Sequence, residues 1–185
     1  VEVEAYGGMD DLASHARFGR TGRSAVMFGP AGVAYVYLVY GMYDCLNVVT
    51  GPDGQAAAVL VRAVEPLIGI DRMRADRLTV AARRRAARTA TGAPATIRRI
   101  AATPDERIAS GPGLVAAAFG IDRTWTGTDL CDPGSPMRLE VGGSVPDSTV
   151  TVSPRVGVAY AGPAWAGRAW RFAVAGHPSV SGPRG

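Results

Sequence analysis

The first six residues, Val1-Glu2-Val3-Glu4-Ala5-Tyr6, alternate strictly between small apolar side chains and polar or aromatic ones. A period of two is that of a half-buried strand, and it sets Glu2, Glu4 and Tyr6 on one face. With the small apolar face turned to the core, the carboxylates face solvent or a cleft. Gly7 and Gly8 end the strand, a loop with a short helix near Asp11–Ala16 follows, and Gly29-Pro30-Ala31-Gly32 is a turn. Two β-branched and aromatic runs, Val33–Tyr40 and Asp44–Thr50, flank Gly41 and predict two strands joined at a glycine-containing tip. A turn over residues 51–54 leads to a third strand at Ala57–Val64, and Pro66 is placed to open a helix running to about Arg77.

Farther along, Ala81–Ala90 has helix-forming composition with Arg83, Arg84, Arg85 and Arg88 outward. The rest of residues 78–109, built largely from Ala, Arg and Thr, reads as a basic surface insertion ordered on binding. Ser110-Gly111-Pro112 marks a helix start, with Leu114–Phe119 as its apolar run and Gly120 as its end. Four short strands are expected near Met137–Val141, Thr149–Val152, Val156–Tyr160 and Ala169–Val174. The predicted fold is α+β: a single domain, 1–185, with a mixed, largely antiparallel curved sheet, flanking helices and a protruding β-hairpin.

Composition narrows the classes. The chain has 185 residues, 47% hydrophobic and 19% charged, which fits one folded domain and not a disordered segment. Its net charge of +4 fits a polyanionic partner without requiring one. Every basic residue is Arg; with no lysine, no side-chain amine can form a Schiff base. Cys45 and Cys131, with His15 and His177, are too few for a thiolate cage or a histidine-rich metal site. No metal and no cofactor are expected. Nothing runs apolar long enough to span a membrane and no signal peptide is visible, so the expectation is a cytoplasmic protein with no membrane partner. The chain opens at Val1, directly into a strand pattern, and an upstream segment is expected to be missing.

Five of the six tyrosines fall between Tyr6 and Tyr43. Tyr35 fits a sheet core, whereas Tyr40, Met42 and Tyr43 straddle the turn glycine, where large side chains point away from a sheet and suit a minor-groove wedge. A second set, Glu4, Tyr6, His15, Tyr37, Asn47 and Arg62, supplies what a base-flipping hydrolase needs. That is a carboxylate to deprotonate water, aromatic faces to hold a base, and polar groups to read its edge. The same residues fit a non-catalytic DNA- or RNA-binding module, or a hydrolase of free nucleosides. Glu4 speaks against the first because it repels phosphates; an exposed Tyr40 has no use in the second.

These motifs resemble the alkyladenine (3-methyladenine) DNA glycosylase family and point to a bacterial member. The likeness is carried by Val1–Tyr6, by His15 followed by Gly19-Arg20-Thr21, by Met27–Pro30, and by Tyr35–Tyr37 through Tyr40–Tyr43. It continues through Cys45–Val48, Val61–Pro66, Ser110–Pro112 and Arg155–Gly157, in the family's order. The resemblance implies that Glu4 is the general base that activates water and that Arg62 helps to hold water and carboxylate. It implies that Tyr6, His15 and Tyr37 wall the base pocket, with Asn47 disfavouring normal guanine through its exocyclic amine. Tyr40 matches the intercalating tyrosine, and Met42 and Tyr43 its minor-groove flank. Glu2 is left as a solvated strand residue. The expected partner is duplex DNA carrying a damaged purine, bound by a monomer at the bacterial nucleoid and left with an abasic site.

Overall fold

A computed structural model describes residues 1–86 and 93–182. Six strands form one sheet: β1 Glu2–Tyr6, β2 Ala34–Val39, β3 Tyr43–Val49, β4 Ala58–Ala63, β5 Val150–Ser153 and β6 Arg171–Val174. Their order is β2-β3-β4-β1-β6-β5, and every pairing is antiparallel. Four helices accompany it: α1 Ile70–Ala86, α2 Ala93–Ala101, α3 Pro112–Ala118 and α4 Pro163–Ala166. The α+β class and the protruding β2–β3 hairpin stand as expected.

The two faces of the sheet differ in chemistry. On one, Ala34, Val36 and Leu46 pack with Ala116, Ile121 and Leu130, and Val61 packs among Met73, Ile108, Val115 and Ala118. This apolar layer fixes α1 and α3 beneath the sheet. Because side chains alternate, the other face receives Glu2, Glu4 and Tyr6 from β1, Leu60 and Arg62 from β4, and Tyr35, Tyr37, Cys45 and Asn47 from the hairpin. The loop over residues 9–32 covers part of that face, packing Ala16, Met27 and Phe28 against Tyr35 and Val49.

β1 lies inside the sheet, between β4 and β6, and the segments at Val156 and Ser181 that close over its Glu2 and Glu4 face reverse the expected direction of its amphipathic pattern. Glu2 and Glu4 are 1% and 0% exposed, whereas Val3 and Ala5 are only half-buried. Glu2 is therefore not a solvated strand residue. The β1–β4 register shifts between Glu2, opposite Ala63, and Val3, opposite Val61, so Arg62 is the extra residue of a bulge. A bulge re-aims its side chain, and here it sends the guanidinium between the two carboxylates.

Several predicted elements differ. The helix expected from Pro66 begins at Ile70 and runs past Arg77 to Ala86 without a break, because Ala81–Ala86 are strong helix formers. The separate Ala81–Ala90 helix is thus the end of α1, and residues 87–92, Arg88 included, lie outside the described residues. Residues 78–109 are not merely a surface insertion: Ile100, Ile108 and Ala109 are buried, the last two with Met73 and Val115. Near Asp11–Ala16 there is only a 3-10 turn, His15–Phe18. The Asp11 carboxylate accepts the amides of Gly7 and Ala13, both at 3.0 Å, and takes that backbone away from a helix. Met137–Val141 and Val156–Tyr160 form no strand. At the latter, the Val156 amide donates to Glu4 instead of to a ladder, and Gly157 turns the chain at φ +76°.

Candidate active site

Glu4 sits in the middle of β1, opposite Leu60 on one side and Arg171 on the other. Its Oε1 accepts the Val156 amide at 2.7 Å and lies 3.1 Å from an Arg62 guanidinium nitrogen; Oε2 accepts the Tyr6 hydroxyl at 2.8 Å. Burial, with the Glu4 charge next, drives the Tyr6 hydroxyl well above its ordinary range, so Tyr6 remains a donor. Arg62 is held from the other side by Glu2, whose Oε1 takes the Arg62 Nε at 2.7 Å and the Arg171 Nε at 2.7 Å. Ser181 adds its amide and, at 2.9 Å, its hydroxyl to Glu2. Burial works to raise the Glu2 pKa, but the bonds from Arg171, Ser181 and Arg62 keep it below the usual carboxylate value.

Above this dyad of carboxylates lies a cleft of about 610 Å³, lined among others by Tyr6, His15, Tyr37, Tyr40, Arg62 and Val156. All three residues that bond to Glu4 thus reach the cleft, with the carboxylate just behind them. A small enclosed recess continues inward between Tyr6, His15, Tyr35, Tyr37 and Asn47, closed by Tyr160. His15 stands edge-on to Tyr37, ring centres 4.6 Å apart, and its Nδ1 is 2.8 Å from the Tyr35 hydroxyl. Burial first, then the charges of Arg23 and Arg17, lower the His15 pKa to about 4, so the ring is neutral at neutral pH. Asn47, 3% exposed, donates its amide nitrogen to the carbonyls of Tyr35 and Cys45 at 3.0 and 3.3 Å, which leaves its own oxygen as the uncommitted atom. Cys45 is a buried free thiol, pushed up to about 11 by burial and then by Asp44.

Arg155, a motif residue without an assigned role, and Asp11 brace the site. Arg155 donates to both Asp11 oxygens at 2.6 and 2.9 Å and to the Ala5 carbonyl at 3.0 Å, and its guanidinium stacks 4.7 Å from the Tyr6 ring centre. It thereby fixes Tyr6 from behind and holds the next residue, Val156, on Glu4. The partners lie 144 residues apart, so no local pattern marks them. Tyr160, the one tyrosine outside the early cluster, joins the pocket by donating to the Ala13 carbonyl at 2.9 Å.

At the hairpin end, Met42 donates its amide to the Val39 carbonyl at 3.0 Å across Tyr40 and Gly41, whose φ values are +52° and +66°. This is the primed two-residue turn that matches strand twist, but it places Tyr where Asn or Gly is usual. Tyr40 is 81% exposed. Tyr43 lies on the other flank of the tip, its ring covered by Arg84 at 4.7 Å. Among the described residues no three metal-ligating side chains gather.

Comparison with known proteins decides the class. The sequence profile of the methylpurine-DNA glycosylases matches residues 1–178. The chain belongs to that family. It is 46% identical to a protein of Nocardia farcinica named "Putative 3-methyladenine DNA glycosylase", over 100% of this chain and 77% of that protein. Proteins of the same name in Streptomyces avermitilis and Nitrosococcus oceani are 42% and 40% identical over 98% of this chain, covering 74% and 77% of their own lengths. As a member of this family, the protein is a DNA glycosylase for alkylated bases, a hydrolase of the bond between base and sugar that serves DNA repair. No helix among the described residues is long and apolar enough to cross a membrane.

Proposed function

We propose that this methylpurine-DNA glycosylase flips alkylated or deaminated purines out of duplex DNA and hydrolyses the glycosidic bond with water activated by Glu4. The observation that carries the reading is the coordination of that carboxylate. A carboxylate offers about four lone-pair sites; the Tyr6 hydroxyl takes one on Oε2 and the Val156 amide one on Oε1, where the Arg62 guanidinium also lies 3.1 Å away as an ion pair. The remaining site is on Oε2, where a water can donate its proton while Arg62 and the Val156 amide keep the base in place. The chain has no lysine, so water and not a side-chain amine is the nucleophile, and the product is an abasic site.

Tyr6 and Tyr37 supply the aromatic faces and His15 the edge contact. Because His15 Nδ1 is taken by Tyr35, Nε2 is the atom left to meet the base. A purine methylated on a ring nitrogen is cationic, and each tyrosine face attracts it by about 0.5–2 kcal/mol. The free Asn47 oxygen borders the recess where the exocyclic amine of normal guanine would sit, and discriminates against it by crowding. Tyr40 fills the gap that the flipped nucleotide leaves, flanked by Met42 and Tyr43; flipping costs a few kcal/mol, less at a damaged pair. The protein acts as a monomer on DNA at the bacterial nucleoid.

Release of hypoxanthine or 3-methyladenine from an otherwise normal duplex tests this directly, with Glu4→Gln alongside. The wild type is expected to release the base and Glu4→Gln to bind without release. Wild-type binding with no release would leave a non-catalytic module of the same fold.

A further inference from the structure

We propose that a second groove, between α1 and α2 on the far side of the hairpin tip from the base cleft, grips the phosphodiester backbone of the duplex; this rests on the reading above that duplex DNA is the substrate. The groove encloses about 570 Å³ and is lined by five arginines, Arg77, Arg84, Arg85, Arg99 and Arg107, and by no acidic residue. Arg72, Arg74 and Arg138 pair with Asp76, Asp105 and Glu140, whereas the groove brings its five arginines together with no carboxylate in its lining. In the groove, Arg107 and Arg77 spend donors on carbonyls, of Val180 at 2.6 Å and of Ile108 at 3.2 Å, and so belong to its frame. Arg85 and Arg99 have no acidic partner among the described residues. Burial first, then the charges of Arg99 and Arg74, lower the pKa of Arg77, while at the tip the Asp44 charge acts on Arg84.

The position of the groove selects its occupant. Met42 and Tyr43 line it, while Val39 and Tyr40 line the base cleft, so the tip is the wall shared by the two. A tip inserted in a minor groove has a sugar-phosphate backbone on either side of it, and the side away from the cleft is this one. Guanidinium groups bind phosphate oxygens in pairs of parallel bonds, and the Arg84–Tyr43 stack holds one such group at the edge of the tip. The arginines act on affinity and leave the chemistry to the other face of the sheet.

Binding of an undamaged duplex, followed by fluorescence anisotropy over a range of salt, is the test. The slope of log affinity against log salt should lose about 0.9 in Arg85→Ala and in Arg99→Ala, and about 1.8 in the double variant. Single-turnover base release at saturating enzyme should not change, with unfolding curves confirming that the variants fold. An unchanged slope in the folded double variant overturns the proposal, as does a fall in the saturating release rate, which would assign the arginines to the reaction. If the wild type released no base while the slopes shifted as expected, the catalytic reading would fail and the backbone groove would stand.

Discussion

Glu2 and Glu4 share one strand face two residues apart, and their surroundings separate their roles. Glu2 has four contacts from Arg62, Arg171 and Ser181; neither carboxylate lines the cleft itself, but Tyr6, Arg62 and Val156, which hold Glu4, all do. Glu4→Gln should lower the rate of base release by roughly 10²- to 10⁴-fold, the usual worth of a positioned general base, in single-turnover assays with binding preserved. Glu2→Ala should act on stability. It strands Arg62 and Arg171 without their shared anion, a loss of about 3 kcal/mol in urea unfolding, because breaking a buried pair leaves an uncompensated charge. Equal stability of Glu2→Ala and wild type would show that the two arginines find other partners.

At the scale of the element, the β2–β3 hairpin holds a bulky residue in a conformation that glycine or asparagine normally takes. A left-handed L-residue costs about 1–2 kcal/mol, and Tyr40, at φ +52° and mostly exposed, makes no compensating burial. Strain kept at an exposed tip points to use by a partner. Tyr40→Gly should therefore leave thermal stability equal or slightly higher. The same variant should slow release from a paired lesion much more than from a lesion already unpaired. Equal slowing on both substrates would remove the wedge from the mechanism.

For the whole molecule, acid sensitivity collects the buried titratable groups. Asp11, like Glu2, is kept below its ordinary value despite burial, by Arg155 and by the amides of Ala13 and Gly7. The contributions of these two carboxylates are complete above their ordinary values, 4.5 for Glu2 and 3.8 for Asp11, and disappear as pH falls through the lower folded values. His15 acts earlier: its folded pKa of about 4 lies below the ordinary 6.5, so between those values the unfolded chain binds more protons and stability falls with pH. The melting temperature should thus decline from about pH 6.5 downward and more steeply below about pH 4. His15→Gln should flatten the upper limb only.

Residue order alone fixes the class of the fold and supplies the candidates for the site. Alternation marks β1, β-branched and aromatic runs mark β2 and β3, Gly41 marks the hairpin tip, and Ser110-Gly111-Pro112 marks the start of α3. Glu4, Tyr6, His15, Tyr37, Asn47, Arg62 and Tyr40 were named from residue type and motif, and the fold gathers the first six around one face of the sheet. What lay beyond the sequence is what depends on partners distant along the chain. Alternation shows that Glu2 and Glu4 share a face, but only the distant segments at Val156 and Ser181, folded over it, decide that this face is buried. The Val156–Tyr160 run had the pattern of a strand until Glu4 took its first amide. The Arg155–Asp11 brace and the Ser181–Glu2 contact span 144 and 179 residues, and the arginine groove requires α1 and α2 to face each other. Local patterns record what a residue prefers; tertiary structure decides which charge it must satisfy.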